Sequence, residues 1–323
     1  MRKLIDEQEN VEESAKMGCP VSLVRIRNSD ETKKAVSTAL SLIDFKLEKN
    51  VRTVVIKPNL CYYWTASSGC TTDPHLVTAI IDVIREMYGK DLDIKVVESD
   101  ATAMKTIHAF QMLGYTKLAE EKKVQLFNLS QDVLVGKEVQ VNGQKLSFKV
   151  PKLLLDADLF INVPKLKVMR EVTITCALKN LFGCIGFSRK IIYHSNLHEA
   201  IVGINKVLKP HLTIVDGLVA LGKFPVKLGL IMASTDSFSV DWTAAQIMGY
   251  NPSHIKYLKI AMLEKMGTPH GITILGEAID DFKRIFPKVN AFRSKLSWDS
   301  QLNLLRIYNK IVHDTIPDEL QRA

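Results

Sequence analysis

The chain reads as an α/β protein: a mostly parallel sheet with crossover helices, one inserted β-hairpin and a C-terminal helical appendage. Three observations predict this. Short, largely apolar runs at 52–57, 94–97 and 159–163 alternate with segments of helical apolar spacing, and that rhythm implies crossover units and parallel pairing. The segment 139–148 interrupts it with Asn142-Gly143 between two alternating runs, the turn chemistry of a tight hairpin. Beyond residue 276 two amphipathic helical patterns, 277–286 and 300–313, flank Pro287.

In chain order, the first twenty residues are polar and acidic-rich and read as a tail. A β-type run at 21–27 leads to Asn28-Ser29-Asp30, which offers N-cap chemistry to a helix with Ala35, Leu42 and Ile43 on its inner side. The strand 52–57 runs into a polar loop from Pro58 to Thr72. Asp73 at the N-cap and Pro74 at the first position open a helix carrying Val77, Ile80, Ile81 and Ile84, which Gly89 stops. A strand at 94–97, a helix over 103–113, a strand at 124–129 and the hairpin follow. The strand 159–163 ends at Pro164. A helix with Ala200, Ile201, Ile204 and Val207 leads to strands at 212–215 and 231–234, then a helix over 239–248. Three regions result: a tail (1–20), a core (21–276) and a helical extension (277–323).

Composition narrows the function. The 323 residues are 46% hydrophobic and 24% charged, the values of an ordinary globular chain. No apolar stretch reaches the ~20 residues of a membrane span, and the N-terminus lacks the apolar run of a secretory signal, so a cytoplasmic location is expected. The net charge of +8 comes from scattered lysines and arginines without a dense basic run, which argues against a nucleic-acid partner. Five cysteines occur, none spaced CxxC, so neither a zinc ribbon nor a ferredoxin-type run is signalled. The absence of GxxxxGK[ST] and of GxGxxG leaves no P-loop and no nicotinamide-dinucleotide signature.

Ligands of open parallel sheets sit outside the carboxyl ends of the strands. Those ends carry Lys57-Pro-Asn59, Glu98-Ser-Asp100, Asn162-Val-Pro-Lys165 and Asp216-Gly217. Lys179-Asn180, followed by Gly183 and Gly186, adds an ammonium and an amide beside backbone that can approach a ligand closely. His194 follows in Tyr193-His194, with His198 one helical turn on; histidine exchanges protons near neutral pH, while His-x3-His without a third ligand is a weak metal signal.

The motifs in chain order are Val54-Val-Ile-Lys-Pro-Asn59, Thr71-Thr-Asp-Pro74, Asp158-Leu-Phe-Ile-Asn-Val-Pro-Lys-Leu-Lys167, Val172-Thr, Ala177-Leu-Lys-Asn-Leu-Phe-Gly183, Lys190 with Tyr193-His194, Ile214-Val-Asp-Gly217, and Asp236 with Val240-Asp241. In these the chain resembles the family known as domain of unknown function 362. The resemblance implies an α/β domain that brings these polar segments together, and implies no reaction. Two departures stand out. Relatives usually have a histidine where this chain has Met169, and many carry a cysteine-rich ferredoxin-like module that is missing here.

Three functions are compatible with these residues. The first is an enzyme for a small anionic substrate, a carboxylate or phosphate. Lys57, Asn59, Thr71, Thr72, Asn162, Lys165, Lys167, Asn180, Lys190 and Asp241 would line its site, and His194, Lys179 and Asp216 would act in catalysis. The second is a redox protein holding an iron–sulfur cluster or divalent metal on Cys61, Cys70, Cys176 and Cys184, because both cysteine-bearing segments are expected at one sheet edge. The third is a binding module whose C-terminal helices meet a protein partner or a second copy of the chain.

Overall fold

The computed structural model describes residues 19–48, 50–101, 104–188 and 190–287. The expected tail up to residue 18 and the helix over 300–313 lie outside the described residues.

Strand β1 (Cys19–Arg25) passes through a 3-10 turn (Ser29–Glu31) into helix α1 (Thr32–Leu42). Asn28 makes no side-chain cap bond; Thr32 Oγ1 donates instead to Ser29 O at 2.6 Å. Ala35 and Ile43 face inward as expected, but Leu42 is exposed, because the helix ends there. Strand β2 (Thr53–Pro58) and helix α2 (Pro74–Tyr88) follow. Asp73 caps α2 by accepting from His75 N at 2.9 Å, and Gly89 ends it at φ +105°. After β3 (Asp93–Glu98) the expected single helix is two, α3 (Thr106–Met112) and α4 (Tyr115–Lys122). Gly114, at φ +83°, is a joint rather than a terminus.

Next come β4 (Gln125–Asn128), β5 (Leu134–Val141) and β6 (Gln144–Pro151). Asn142 and Gly143 both have positive φ, 49° and 77°, as a type I′ turn requires. Then follow α5 (Lys152–Asp156), β7 (Leu159–Val163), β8 (Lys165–Met169), β9 (Thr173–Thr175) and α6 (Ala177–Leu181). Two 3-10 segments, Phe182–Cys184 and Lys190–Asn196, connect α6 to α7 (Leu197–Val207). The chain continues as β10 (Leu212–Leu221), β11 (Pro225–Ser234), α8 (Ser237–Ile247), α9 (Lys256–Leu263), β12 (Ile272–Gly276) and α10 (Ile279–Lys283).

Among the described residues the main sheet runs β12-β1-β11-β10-β7-β2-β3-β4, with β8 beside β10 and β9 beside β8. The pairs from β10 through β4 are parallel. Strands were expected at 212–215 and 231–234; both are longer, β10 pairs parallel with β7, and β10 and β11 form an antiparallel hairpin whose β11 also pairs antiparallel with β1. The hairpin β5–β6 forms a separate two-stranded sheet.

Alternate residues of each central strand feed opposite cores. Val54, Ile56, Leu159 and Ile161 pack with α1 to α4, while Val55 and Phe160 pack with α6 to α9 and the β5–β6 hairpin. This three-layer arrangement satisfies a sheet apolar on both faces. Gly203 of α7 shows how tightly the hairpin seats: a Cβ there would lie 3.0 Å from the Phe148 ring.

Candidate functional site

Strands β2, β3 and β7 end side by side, with Lys57 in register with Asn162. Lys57 is 1% exposed. Its Nζ donates to Glu98 Oε2 and to Pro58 O, both at 2.7 Å. Glu98 is further satisfied by Leu60 N at 3.1 Å and Ser99 N at 2.9 Å. Asn180 Nδ2, from α6, donates to Asn162 Oδ1 at 2.8 Å and Lys57 O at 3.3 Å, and Asn162 Nδ2 donates to Ala177 O at 3.1 Å. This amide pair ties α6 to the ends of two strands. Asn59 Oδ1 and Asn180 Oδ1 are buried and find no donor from the described protein.

Past Pro164 the chain continues as β8, which the sequence pattern did not reveal. It places Lys165 in register with Asp216. Both are fully buried, with Nζ 2.9 Å from Oδ2, although the ammonium lies off the hydrogen-bonding direction. Asp216 also accepts from Asp73 N at 2.7 Å and Leu218 N at 3.0 Å, so it knits β10 to β8 and to the start of α2. Asp241, from α8, accepts from Ala177 N at 2.6 Å, Leu178 N at 3.3 Å and Tyr257 OH at 2.9 Å. It thereby caps α6 across space, a service that α6's own N-cap residue, Cys176, does not provide. Burial pushes the Asp241 carboxyl up to about 7, against the pull of these donors.

Three further lysines carry charge with no carboxylate in contact among the described residues. Lys167 Nζ donates to Cys70 O at 2.8 Å. Lys190, 8% exposed, donates to Ser99 Oγ at 2.8 Å and Asp100 O at 2.7 Å. Lys179 makes no hydrogen bond among the described residues; its ammonium lies 4.6 Å from the centre of the Phe182 ring. Part of its surface is open, and the charges of Lys167, Lys190, Glu171 and Cys61 act on it. Burial lowers both Lys179 and Lys190 to about 8, and the charge of Lys167 adds to the depression of Lys179.

The loop from β2 to α2 folds back on itself. Asn59 N donates to Thr72 Oγ1 at 2.8 Å, Thr72 N to Asn59 O at 2.9 Å, and Cys61 N to Thr71 Oγ1 at 3.3 Å. Thr72 Oγ1 in turn donates to Val163 O at 2.8 Å, which pins the base of the loop to β7. At Gly69, φ is +72° and a Cβ would lie 3.0 Å from the Ala220 carbonyl, so only glycine fits against β10 there. The fold-back sets Cys61 and Cys70 on adjacent limbs of the loop, with Cys61 N bonded to the Thr71 hydroxyl next to Cys70. The neighbouring Cys70 thiol, with Lys167 and Lys179 nearby, outweighs burial and lowers Cys61 to about 6, while Cys70 is raised.

The four cysteines do not converge. Cys176 and Cys184 are completely buried, and burial raises both thiols, Cys184 to about 12. Cys176 lies against Asp241, whereas Cys184 lies near Lys57 and Glu98. Among the described residues no group of three or more His, Cys, Asp or Glu side chains is arranged to hold a metal ion. The expected four-thiol centre is therefore corrected to one close pair and two separate core thiols, because strand pairing puts Cys176 beneath α6 rather than at the loop.

Of the expected residues, the fold brings together Lys57, Asn59, Thr71, Thr72, Asn162, Lys165, Lys167, Lys179, Asn180, Lys190 and Asp216. His194 is exposed on the 3-10 segment and makes no hydrogen bond among the described residues. Met169, at the position where a histidine was expected, accepts from Thr175 Oγ1 through sulfur at 3.5 Å and supplies no proton. Sequence reasoning omitted Glu98 and Ser99 from the site, although Glu98-Ser-Asp100 stood at a strand end. Ser99 Oγ donates to Gly183 O and receives Lys190, so it joins the β3 end to the turn after α6.

The family model described as Domain of unknown function (DUF362) matches residues 54–246, the span that holds every residue named in this site except Tyr257. "Thylakoid-associated protein sll1697" of Synechocystis sp. is 28% identical over 228 residues, covering 66% of this chain and 68% of that one. The lactate racemase apoprotein from Thermoanaerobacterium thermosaccharolyticum aligns with TM-score 0.40 and 12% identity, over 72% of this chain and 58% of that structure. This chain thus spans little more than half of that racemase. No helix among the described residues is long and apolar enough to cross a membrane.

Proposed function

The chain belongs to the DUF362 family, which carries no assigned reaction, and we propose from its geometry that it is an enzyme binding a small carboxylate or phosphate at the carboxyl edge of the sheet. Lys167, Lys179 and Lys190 hold the anion. One observation carries this reading: the Lys179 ammonium has no hydrogen-bond acceptor among the described residues and stands near the charges of Lys167 and Lys190, with Glu171 and Cys61 acting on it only through space. A buried charge without a contacting anion costs folding free energy, and an anionic ligand offsets the cost. Lys57 and Lys165 have buried carboxylate partners of their own, so they shape the floor and are not the anion's main contacts.

A lysine at about 8 also exchanges protons near neutral pH. Lys179 is therefore the proton carrier of this site, and the exposed His194 lies outside it. Asp216 and Asp241 hold the scaffold: Asp216 fixes β8, and Asp241 fixes the helix that presents Lys179.

The test is titration of the purified protein with inorganic phosphate and with small mono- and dicarboxylates, read by calorimetry and thermal shift. Binding that weakens as pH rises through about 8, and that Lys179→Met abolishes, is expected. Binding that Lys179→Met leaves intact, or that strengthens above pH 8, overturns the reading.

A further inference from the structure

The β2–α2 loop carries a feature that anion binding does not need. Cys61 and Cys70 stand at the two limbs of a stapled loop, with the Thr71 and Thr72 hydroxyls holding the limbs together. Both cysteines are partly exposed and free, unlike the sealed Cys176 and Cys184. Lys167 Nζ is bonded to the Cys70 carbonyl, which places its charge beside both limbs. Two partly exposed cysteines on facing limbs of a stapled loop, with an ammonium beside them, are the arrangement of an attacking and a resolving cysteine.

We propose that Cys61 and Cys70 form a thiol–disulfide exchange site whose substrate is a small disulfide bearing carboxylates. The Cys61 thiolate attacks one sulfur of the substrate; its S–S bond breaks, and one half leaves as a thiolate. The other half stays on Cys61 as a mixed disulfide. Cys70 then attacks the Cys61 sulfur, the second half leaves, and the proton of Cys70 passes to a departing thiolate. Two protein thiols are oxidised to one disulfide, and one substrate disulfide is reduced to two thiols. The assignment of roles follows the local environment: the neighbouring Cys70 first, and the Lys167 charge after it, favour Cys61 as thiolate, while Cys70 keeps its proton until the mixed disulfide forms. Cys61 is partly exposed, and Tyr62 next to it is half exposed.

The preference for carboxylates rests on the anion reading above, through Lys167 and Lys179; the dithiol does not. The experiment separates them. The reduced, full-length protein is mixed with the dianionic 5,5′-dithiobis(2-nitrobenzoate) or with the neutral 2,2′-dithiodipyridine. Thiol release, intact mass and a non-reducing peptide map are then recorded. The expected result is a fast phase releasing two thiol equivalents, leaving a Cys61–Cys70 disulfide and no adduct. Cys70→Ser, and Cys70→Ala as its duplicate, stop after one equivalent with the adduct on Cys61. Cys61→Ser loses the fast phase. Lys167→Met lowers the dianionic-to-neutral rate ratio by about tenfold, the size of an electrostatic steering effect. A fast phase that survives Cys61→Ser, or a wild-type adduct that Cys70 never resolves, overturns the dithiol. If the dithiol closes equally fast with both probes, the substrate charge class fails with the anion reading. Phosphate binding without fast Cys61 chemistry sinks this proposal and leaves the anion reading standing.

Discussion

Replacing Lys179 by methionine is expected to make the protein more stable while removing its anion response. Folding lowers the Lys179 ammonium from 10.5 to about 8. Each pKa unit is worth about 1.4 kcal/mol, so the native state carries a penalty of up to ~3 kcal/mol wherever lysine is charged in both states. Methionine keeps most of the side-chain packing and forfeits the contact with Phe182, worth roughly 0.5–2 kcal/mol. The net gain is about 1–2 kcal/mol, or on the order of 5 °C in melting temperature. Its pH course follows from the sign of the shift. A base whose folded pKa is depressed costs stability below that pKa, and the cost fades between about 8 and 10.5. The variant's advantage is therefore full at pH 6 to 7, shrinks above 8 and vanishes near 10.5. Thermal melts of both proteins across that range, with and without phosphate, provide the measurement. A variant less stable at pH 6, or an advantage that does not change with pH, would refute the assignment of Lys179 as a buried cation without a contacting anion.

Other perturbations follow from the same contacts. Asp241→Ala strands the amides of Ala177 and Leu178 and the Tyr257 hydroxyl, and urea unfolding should show a loss on the order of 4 kcal/mol; a loss under ~1 kcal/mol contradicts the capping role. Asp216→Ala should cost more than Lys165→Met, about 3–5 kcal/mol, because Asp216 alone also receives two backbone amides; the reverse order in denaturant midpoints would show that the ammonium is the dominant partner. His194→Ala should leave stability within about 0.5 kcal/mol and phosphate stabilisation unchanged, and halving of the phosphate effect would bring His194 back into the site.

The parallel strands, the Asp73-Pro74 helix start and the Asn142-Gly143 hairpin were legible because each has a local cause: apolar runs, cap chemistry, turn residues with positive φ. What failed was non-local. Strand β8 hid behind Pro164, which reads as a stop, and behind two lysines, Lys165 and Lys167, that look solvated in a linear sequence. Both are buried because Asp216 and the Cys70 carbonyl, far along the chain, meet them. The β10–β11 hairpin was missed because its turn, Gly222 to Phe224, lacks an Asn-Gly type signal. For the site, the strand-end rule identified Lys57, Asn162 and Asp216 together, but it could not say which lysines would find carboxylates. It also could not separate Cys61 and Cys70 from Cys176 and Cys184, since similar spacings along the chain conceal different depths.

The Asp241 brace gives the site a particular mutational sensitivity. The pose of Lys179 depends on a carboxylate from α8 that is itself held by the Tyr257 hydroxyl of α9, so three segments distant in the chain share one tolerance. Change at Tyr257 or Asp241 would alter reactivity without touching a ligand, and a compensating change would have to arise at the other position. Positions 241 and 257 should therefore drift as a pair among related chains, and a selection for altered ligand preference should enrich substitutions in α8 and α9 as well as among the lysines themselves.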